Sequence, residues 1–481
     1  MVFNSLYFLL VFPFVLLFYY LMPQKGKNSF LLVISLLFYG CFHWKYVFLL
    51  LAVILLGYFS GIFLENSEDR RKKLILFFDA AAVVFLLVIF KYLNFFMDMG
   101  RGIFSPGQNL TQEPVFNFII PVGISFYTLL SLGYVTDVYR GKIKAEKDLI
   151  AYGAFISFFP PLLSGPIERA DNLLVQIKRE KIFSEELIRQ GFGRMLWGYF
   201  QKVVIADRIA VLVTAVYDNY ESYTGIYVLA ATLLYAFQIY CDFAGYSNLA
   251  IGASEMLGFR LRENFCMPYF STDISEFWKR WHISLSGWLK DYVYISLGGN
   301  RKGKMIKYRN LLITFLVSGL WHGANITFVL WGLLHGIYQI FFDLLSPLWK
   351  KWQGRVASVV KAAITFLLVD FAWLFFRASS VRTAFGLLGK IFFDFQPFSV
   401  LDRQLAITMG MEIADLAVLA AALVFLVLAE LLSMRWNFRK KIGKLPLILR
   451  WGACYIFIFI ILIFGYYGPG FDLGQFIYAQ F

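Results

Sequence analysis

Histidine and cysteine are scarce in this chain of 481 residues, with four of each, and charge is thin at 16% of residues. Soluble domains carry roughly 25% charged residues, so a soluble globular protein is excluded. The four cysteines, Cys41, Cys241, Cys266 and Cys454, lie scattered, mostly inside apolar runs. That spacing fits neither a zinc site nor a disulfide framework. No Walker motif is present, no Gly-x-Ser-x-Gly elbow, and no cysteine within a few residues of His282 or His322. An acyl-enzyme built on serine or cysteine is therefore not expected. The chain also shows no internal repeat and no low-complexity linker, and it reads as a single membrane domain over 1–481.

Apolar residues fill the space that charge leaves. They make up 59% of the chain, and aromatics alone 20%. Runs near the ~20 residues needed to cross a bilayer recur from end to end. They include Ser5–Met22, Tyr46–Leu64, Leu74–Phe95, Ile226–Phe243, Ala414–Leu432 and Leu447–Tyr467. In lipid the backbone must satisfy its own hydrogen bonds, so these runs predict an all-α, polytopic protein of about ten to twelve spans. The first run lacks the flanks of a signal peptide and is expected to be a retained span.

The net charge of +14 does not point to nucleic acid, because the basic residues cluster between spans, the positive-inside pattern of a cell-membrane protein in contact with lipid. The clusters are Lys25 and Lys27, Arg70–Lys73, Arg140 to Lys147, Lys178 to Lys181, Lys279 to Arg309, Lys350 to Arg355 and Arg435 to Lys444. Asp98–Pro114 and Asp218–Thr224 are poor in Lys and Arg and fall outside. This places the N-terminus outside and requires one re-entrant segment. The candidate is FISFFPPLLSGPIER (155–169), whose prolines break a helix at membrane depth; an ordinary kinked helix pair is the alternative.

Three of the four histidines stand in patterned surroundings. In EFWKRWHISLSGWLKDYVYISLGGNRKGK, residues Phe277, Trp278, Trp281, Leu285, Trp288, Leu289 and Tyr292 share an arc of roughly 120° on a helical wheel. One amphipathic helix at the cytoplasmic interface is predicted, with His282 on its rim, facing a cavity or simply the interface. The Gly-rich turn after it offers Arg301 and Lys302 to the phosphates of a cytosolic donor, unless it is only a solvated turn. His322 lies in VSGLWHGANITFVLWGLLHG, twelve residues past residue 310, which follows the last charge, Arg309. At ~1.5 Å per residue it reaches ~18 Å into a ~30 Å core. The chain is then expected to bend near His322–Asn325 and return.

An ionisable side chain at that depth is a functional candidate by default, though a histidine bonded to a helix carbonyl would also satisfy the pattern. His335 suits a structural role, and His43 a plain interfacial one. A buried imidazole beneath a basic vestibule suits acyl transfer: it takes the proton of an attacking hydroxyl while an anionic thioester carrier stays on the cytosolic side. A transporter of a lipid-linked glycan is the alternative from another class, since broken helices and buried polar groups suit transport too.

The stretches SFYTLLSLGYVTDVYRG (125–141), FFPPLLSGPIER (158–169), CDFAGYSNLAIG (241–252), MLGFRLRENFCMPY (256–269), EFWKRWHISLSGWLKDYVYISLGGNR (276–301), LVSGLWHGANITFVLWGLLHG (316–336) and AWLFFRA (372–378) resemble the membrane-bound O-acyltransferase family. The likeness is to its alginate O-acetyltransferase branch. The resemblance implies a helical ring around a thin centre entered by funnels from both faces, with a family core at about 115–345. It implies that His322, in WHGA, is the catalytic histidine and that His282, in WHISLS, holds the family's other signature position, so both are expected to be catalytic; Asp242, Trp281, Trp321 and Asn325 are expected to line the cavity. It implies no cofactor or metal, an acyl-CoA or acyl-carrier thioester as donor, a polysaccharide acceptor, and an extracytoplasmic SGNH-type acetyltransferase as partner. D-alanyl transfer to teichoic acid is the alternative within the family. Asn248 stands where the branch often has Asp. Gly287, Leu289, Lys290 and Ser296 also depart from its usual residues, which leaves the acceptor open.

Overall fold

The computed structural model describes residues 3, 5–97, 120–401, 411–435 and 446–467. The loop Asp98–Pro114 and the basic stretch 436–444 lie outside the described residues. Among the described residues all regular secondary structure is helical, with no strand.

In chain order the main helices are α1 (Leu6–Leu21), α2 (Gln24–His43), α3 (Tyr46–Glu65), α4 (Asp69–Met97), α5 (Ile124–Tyr139) and α6 (Leu149–Ser157). Next come α7 (Glu185–Tyr199), α8 (Asp207–Asp218), α9 (Gly225–Met256), α10 (Ile274–Arg280) and α11 (Ile283–Leu289). The last are α12 (Lys304–His322), α13 (Ile326–Lys351), α14 (Arg355–Arg377), α15 (Val381–Phe393), α16 (Ile413–Arg435) and α17 (Leu447–Phe464). Six of these, α3, α4, α9, α13, α14 and α16, are long and apolar enough to cross a membrane. Helix α1 and the apolar part of α17 are shorter. The helices that carry much of the polar interior fall below that standard of length and composition, so six rather than ten to twelve stand out by it. The protein is a multi-pass membrane protein.

Close helix contact is set by glycine. Helices α7 and α9 cross where Gly191 meets Gly252 and Gly198 meets Gly245; a Cβ on Gly191 would lie 2.4 Å from the Gly252 carbonyl oxygen. In lipid there is little hydrophobic drive between helices, so such small-residue contacts carry the packing. The same device joins α12 to α13. A Cβ on Gly319 would lie 2.3 Å from the Phe328 carbonyl oxygen, and one on Gly332 would lie 2.3 Å from that of Phe315. The two helices form a hairpin that turns at Gly323–Asn325, as the in-and-back reading of this stretch expects. Asn325 caps α13 by accepting from the Thr327 N–H at 3.1 Å.

The segment 155–169 is broken as expected. Helix α6 ends at Ser157, a four-residue turn follows (Phe159–Leu162), and the chain runs on without helix to Arg169. All of it is buried in protein, where irregular backbone at membrane depth is tolerated. Side chains serve its freed amides: the Phe159 N–H donates to Ser35 Oγ at 3.2 Å and the Ile167 N–H to Ser284 Oγ at 2.9 Å.

The stretch 276–294 departs from expectation. It is not one amphipathic helix. The helix stops at Arg280, His282 adopts the left-handed region (φ 41°, ψ 53°), and α11 starts a new direction. A π-helical turn, Lys290–Tyr294, follows. The aromatic arc points into protein rather than along an interface: Phe277, Trp281 and Leu285 are all 1% exposed. A wheel drawn at a constant angle per residue cannot register a left-handed residue, so its geometry fails beyond Trp281.

Candidate active site

The rings of His282 and His322 lie 6.5 Å apart, centroid to centroid. They come from different pieces of chain. His322 is the last residue of α12, and His282 is the kink between α10 and α11. Both are buried, at 3% and 1% exposed. His282 is therefore not at the rim of a helix, as its wheel position suggests.

The sequence around His282 makes the kink and then pins it. Residues 264–266 run beside 280–283. The Cys266 N–H donates to the Arg280 carbonyl, and the Ile283 N–H to the Asn264 carbonyl, both at 2.9 Å. A non-glycine residue in the left-handed region costs ~1–3 kcal/mol, and surrounding bonds of this kind hold it there. Asn264 also fixes the ring. Its Oδ1 accepts from Ser284 Oγ at 2.9 Å and lies 3.0 Å from His282 Nδ1. Its Nδ2 donates to Ser247 Oγ at 3.1 Å. Because Oδ1 can only accept, His282 carries its proton on Nδ1, and Nε2 of the neutral ring bears the lone pair. Neutral His282 thus presents an acceptor at Nε2, not a donor. Phe243 packs edge-on against the ring at 4.6 Å.

His322 sits in a cage of aromatic rings. Trp321 lies at 4.9 Å, Trp331 at 5.0 Å and Phe376 at 5.3 Å, all edge-to-face. Trp373 stacks on Trp331 at 5.6 Å and reaches Trp281 at 5.0 Å. The AWLFFRA stretch of α14 thus closes the wall behind His322 and reaches Trp281, next to His282. Trp321 also lies 6.0 Å from the His282 ring and touches both imidazoles.

The helix end that carries His322 is held from α4. Within a π-helical turn (Val88–Tyr92), Lys91 Nζ donates to the Trp321 carbonyl at 2.6 Å, to the His322 carbonyl at 3.1 Å and to Ser125 Oγ at 3.3 Å. The Tyr92 hydroxyl donates to the Leu320 carbonyl. Sequence reasoning passed over Lys91 and Asn264. Lys91 had a usable signal, an ionisable residue inside the apolar run Leu74–Phe95. Asn264 had none beyond its place in the ENFCMPY stretch.

The other predicted residues fall into separate settings. Asp242 is buried in an ion pair with Lys202 at 2.6 Å, and Lys202 also meets Asp207 at 2.7 Å. Trp281 belongs to the aromatic wall. Asn325 is spent on its cap and on the Ser379 carbonyl, to which its Nδ2 donates at 2.8 Å. Arg301 and Lys302 are exposed on the turn after α11 and make no ion pair among the described residues. Nearer the interior, Arg169 pairs with Asp291 at 2.7 Å and stacks on Tyr292, whose hydroxyl donates to Asp137 at 2.7 Å. His335 is buried and accepts from Trp278 Nε1 at 3.3 Å. His43 is half-buried beside Tyr46, in a small pocket of about 90 Å³ with Tyr39 and Phe42. No metal-binding group of His, Cys, Asp and Glu occurs among the described residues.

Comparison with known proteins bears on what these histidines serve. The family described as MBOAT, membrane-bound O-acyltransferase, matches residues 36–381. A probable alginate O-acetylase AlgI of Pseudomonas syringae is 37% identical over 449 residues, 92% of this chain and 84% of that protein. A peptidoglycan O-acetyltransferase of Helicobacter pylori is 34% identical over 81% of this chain and 79% of its own. A teichoic acid D-alanyltransferase of Bacillus subtilis is 29% identical over 55% of this chain and 70% of its own. The likeness spans both histidine regions and favours an enzyme over the transporter alternative. An O-acyltransferase of many membrane passes, the chain belongs to the membrane-bound O-acyltransferase family.

Proposed function

We propose that the protein moves an acetyl group from a cytosolic thioester to hydroxyls of an extracytoplasmic polysaccharide or cell-wall polymer. The observation that carries this reading is the pairing of His322 and His282 within 6.5 Å inside an aromatic, buried wall. His322 is the general base. It takes the proton of the attacking hydroxyl as that oxygen bonds to the thioester carbonyl carbon. The C–S bond then breaks, and the imidazolium returns the proton to the departing sulfur, leaving an ester, a thiol and a neutral histidine. His282, fixed by Asn264 with its lone pair on Nε2, accepts a hydrogen bond from the donor arm or the acceptor. It does not donate one to the acyl carbonyl. The exposed Arg301 and Lys302 receive the carrier's phosphates at the cytosolic face.

The relatives support a polymer acceptor, since alginate, peptidoglycan and teichoic acid all bear hydroxyls. Delivery to the polymer fits an SGNH-type acetyltransferase as partner outside the membrane. Purified protein in liposomes, given labelled acetyl-CoA with the partner and polymer, is expected to release thiol and label the polymer. His322→Ala is expected to slow this by ~10²–10⁴-fold, the range for losing a general base. Thioester cleavage that survives this change unaltered would overturn the assignment. Labelling from a D-alanyl carrier but not from acetyl-CoA would move the activity to D-alanyl transfer.

A further inference from the structure

We propose that Lys91 is the positioning residue for His322: a buried ammonium on α4 that fixes where the end of α12, and so the imidazole, stands. This rests on the reading of His322 as the base. An α-helix leaves its last carbonyls without intrahelical partners. Helix α12 ends at His322 because Gly323 is extended (φ −168°, ψ 160°), and the last two residues, Trp321 and His322, are buried, so their carbonyls need partners inside the protein. Two consecutive side chains of one neighbouring turn meet three of the helix's last carbonyls. Tyr92 serves Leu320, and Lys91 serves Trp321 and His322.

The ammonium has three hydrogens, and Ser125 Oγ takes the third. All three are therefore directed at fixed protein atoms, and none is left for a substrate. Lys91 is 8% exposed and forms no ion pair with a carboxylate among the described residues. Its compensation is the negative end of the α12 dipole, which favours a cation at that point. A charge held in an apolar interior by two carbonyls of a single helix end resists displacement of that end more than a neutral contact would. The same Nζ lies 5.8 Å from the centre of the Trp321 ring, the ring that touches both histidines. The π-helical turn places Lys91 and Tyr92 together against α12, in keeping with the tendency of such turns to mark functional sites.

The role predicts a split in the kinetics. A base displaced by about an ångström loses up to ~10²-fold in rate without touching donor binding. Lys91→Met, assayed in liposomes with labelled acetyl-CoA, is expected to lower kcat about 10–100-fold with the donor KM within about twofold. Lys91→Arg, which keeps charge and donors, should recover part of the rate. Tyr92→Phe, which frees only the Leu320 carbonyl, should lower kcat less than Lys91→Met does. If Lys91→Met does not purify as a folded protein, Lys91→Gln is read in its place with the same expectation. An unchanged kcat in the Lys91 variant overturns the inference. So does a rise in KM equal to the fall in kcat, or an equal loss in Tyr92→Phe. His322→Ala, run alongside, separates the two readings. If it is inactive while the Lys91 variant turns over normally, only the positioning role fails; if it is fully active, the assignment of the base fails.

Discussion

The two histidines are held in opposite ways. His282 stands in a dense polar lattice: Asn264 reaches its ring, Ser284 and Ser247, and backbone bonds bracket it on both sides. His322 stands in a wall of aromatic rings at the tip of a hairpin, whose helices approach through glycine and whose end is held by Lys91. A lattice of hydrogen bonds fixes a tautomer and a backbone conformation. An apolar wall fixes a place through ring contacts with Trp321, Trp331 and Phe376. In the proposed function the fixed ring orients and the caged ring transfers the proton.

Breaking the hairpin should have the largest effect. Gly332→Val places a Cβ 2.3 Å from the Phe315 carbonyl oxygen. Overpacking of this kind costs ~1–3 kcal/mol or more. Thermal unfolding in detergent is expected to shift down by several degrees, with transfer lost, because the tip bearing His322 moves as a unit. The same substitution at Gly193, where an added Cβ meets nothing within 4 Å, should not disturb the hairpin.

Releasing the lattice comes next. Asn264→Ala leaves His282 Nδ1 and Ser284 Oγ without their buried partner, a penalty of ~1–3 kcal/mol. It is expected to lower kcat by about 10–100-fold. Retention of the wild-type rate would show that the tautomer is not held by Asn264.

Replacing the fixed ring itself should be milder when its backbone is respected. Asn is the commonest non-glycine substitute in the left-handed region. His282→Asn should therefore keep the kink and part of the activity, whereas His282→Gly keeps the kink and loses the polar group. Equal rates for the two would remove the hydrogen-bonding role. His282→Leu is the poorer probe, since its loss would mix backbone strain with chemistry.

The smallest effect is expected farthest from either histidine. Arg301→Glu with Lys302→Glu should raise the donor KM several-fold, a few charge-assisted contacts' worth, and leave kcat unchanged. An unchanged KM would remove these residues from donor binding.

Much of this arrangement was legible in the sequence. The burial of His322 fits its place well past the last charge, Arg309, and the hairpin follows from basic flanks on both sides of one oily stretch. The broken segment 155–169 follows from its prolines, since those constraints are local. The geometry at His282 was not legible, because a left-handed residue resets the helical wheel and the bonds that stabilise it come from Asn264, eighteen residues away in sequence. Lys91 stood in plain view inside an apolar run, but its target on α12 lies 230 residues on, and no periodicity points across that gap.

The central claim is that two differently held rings form one site. The direct test is a double-mutant cycle in kcat, using His322→Ala, His282→Gly and both together. Residues that act as a unit are strongly non-additive. The account predicts that the double variant is no slower than His322→Ala alone; a double variant slower by the product of the two single losses would mean that the histidines serve separate steps, and would contradict it.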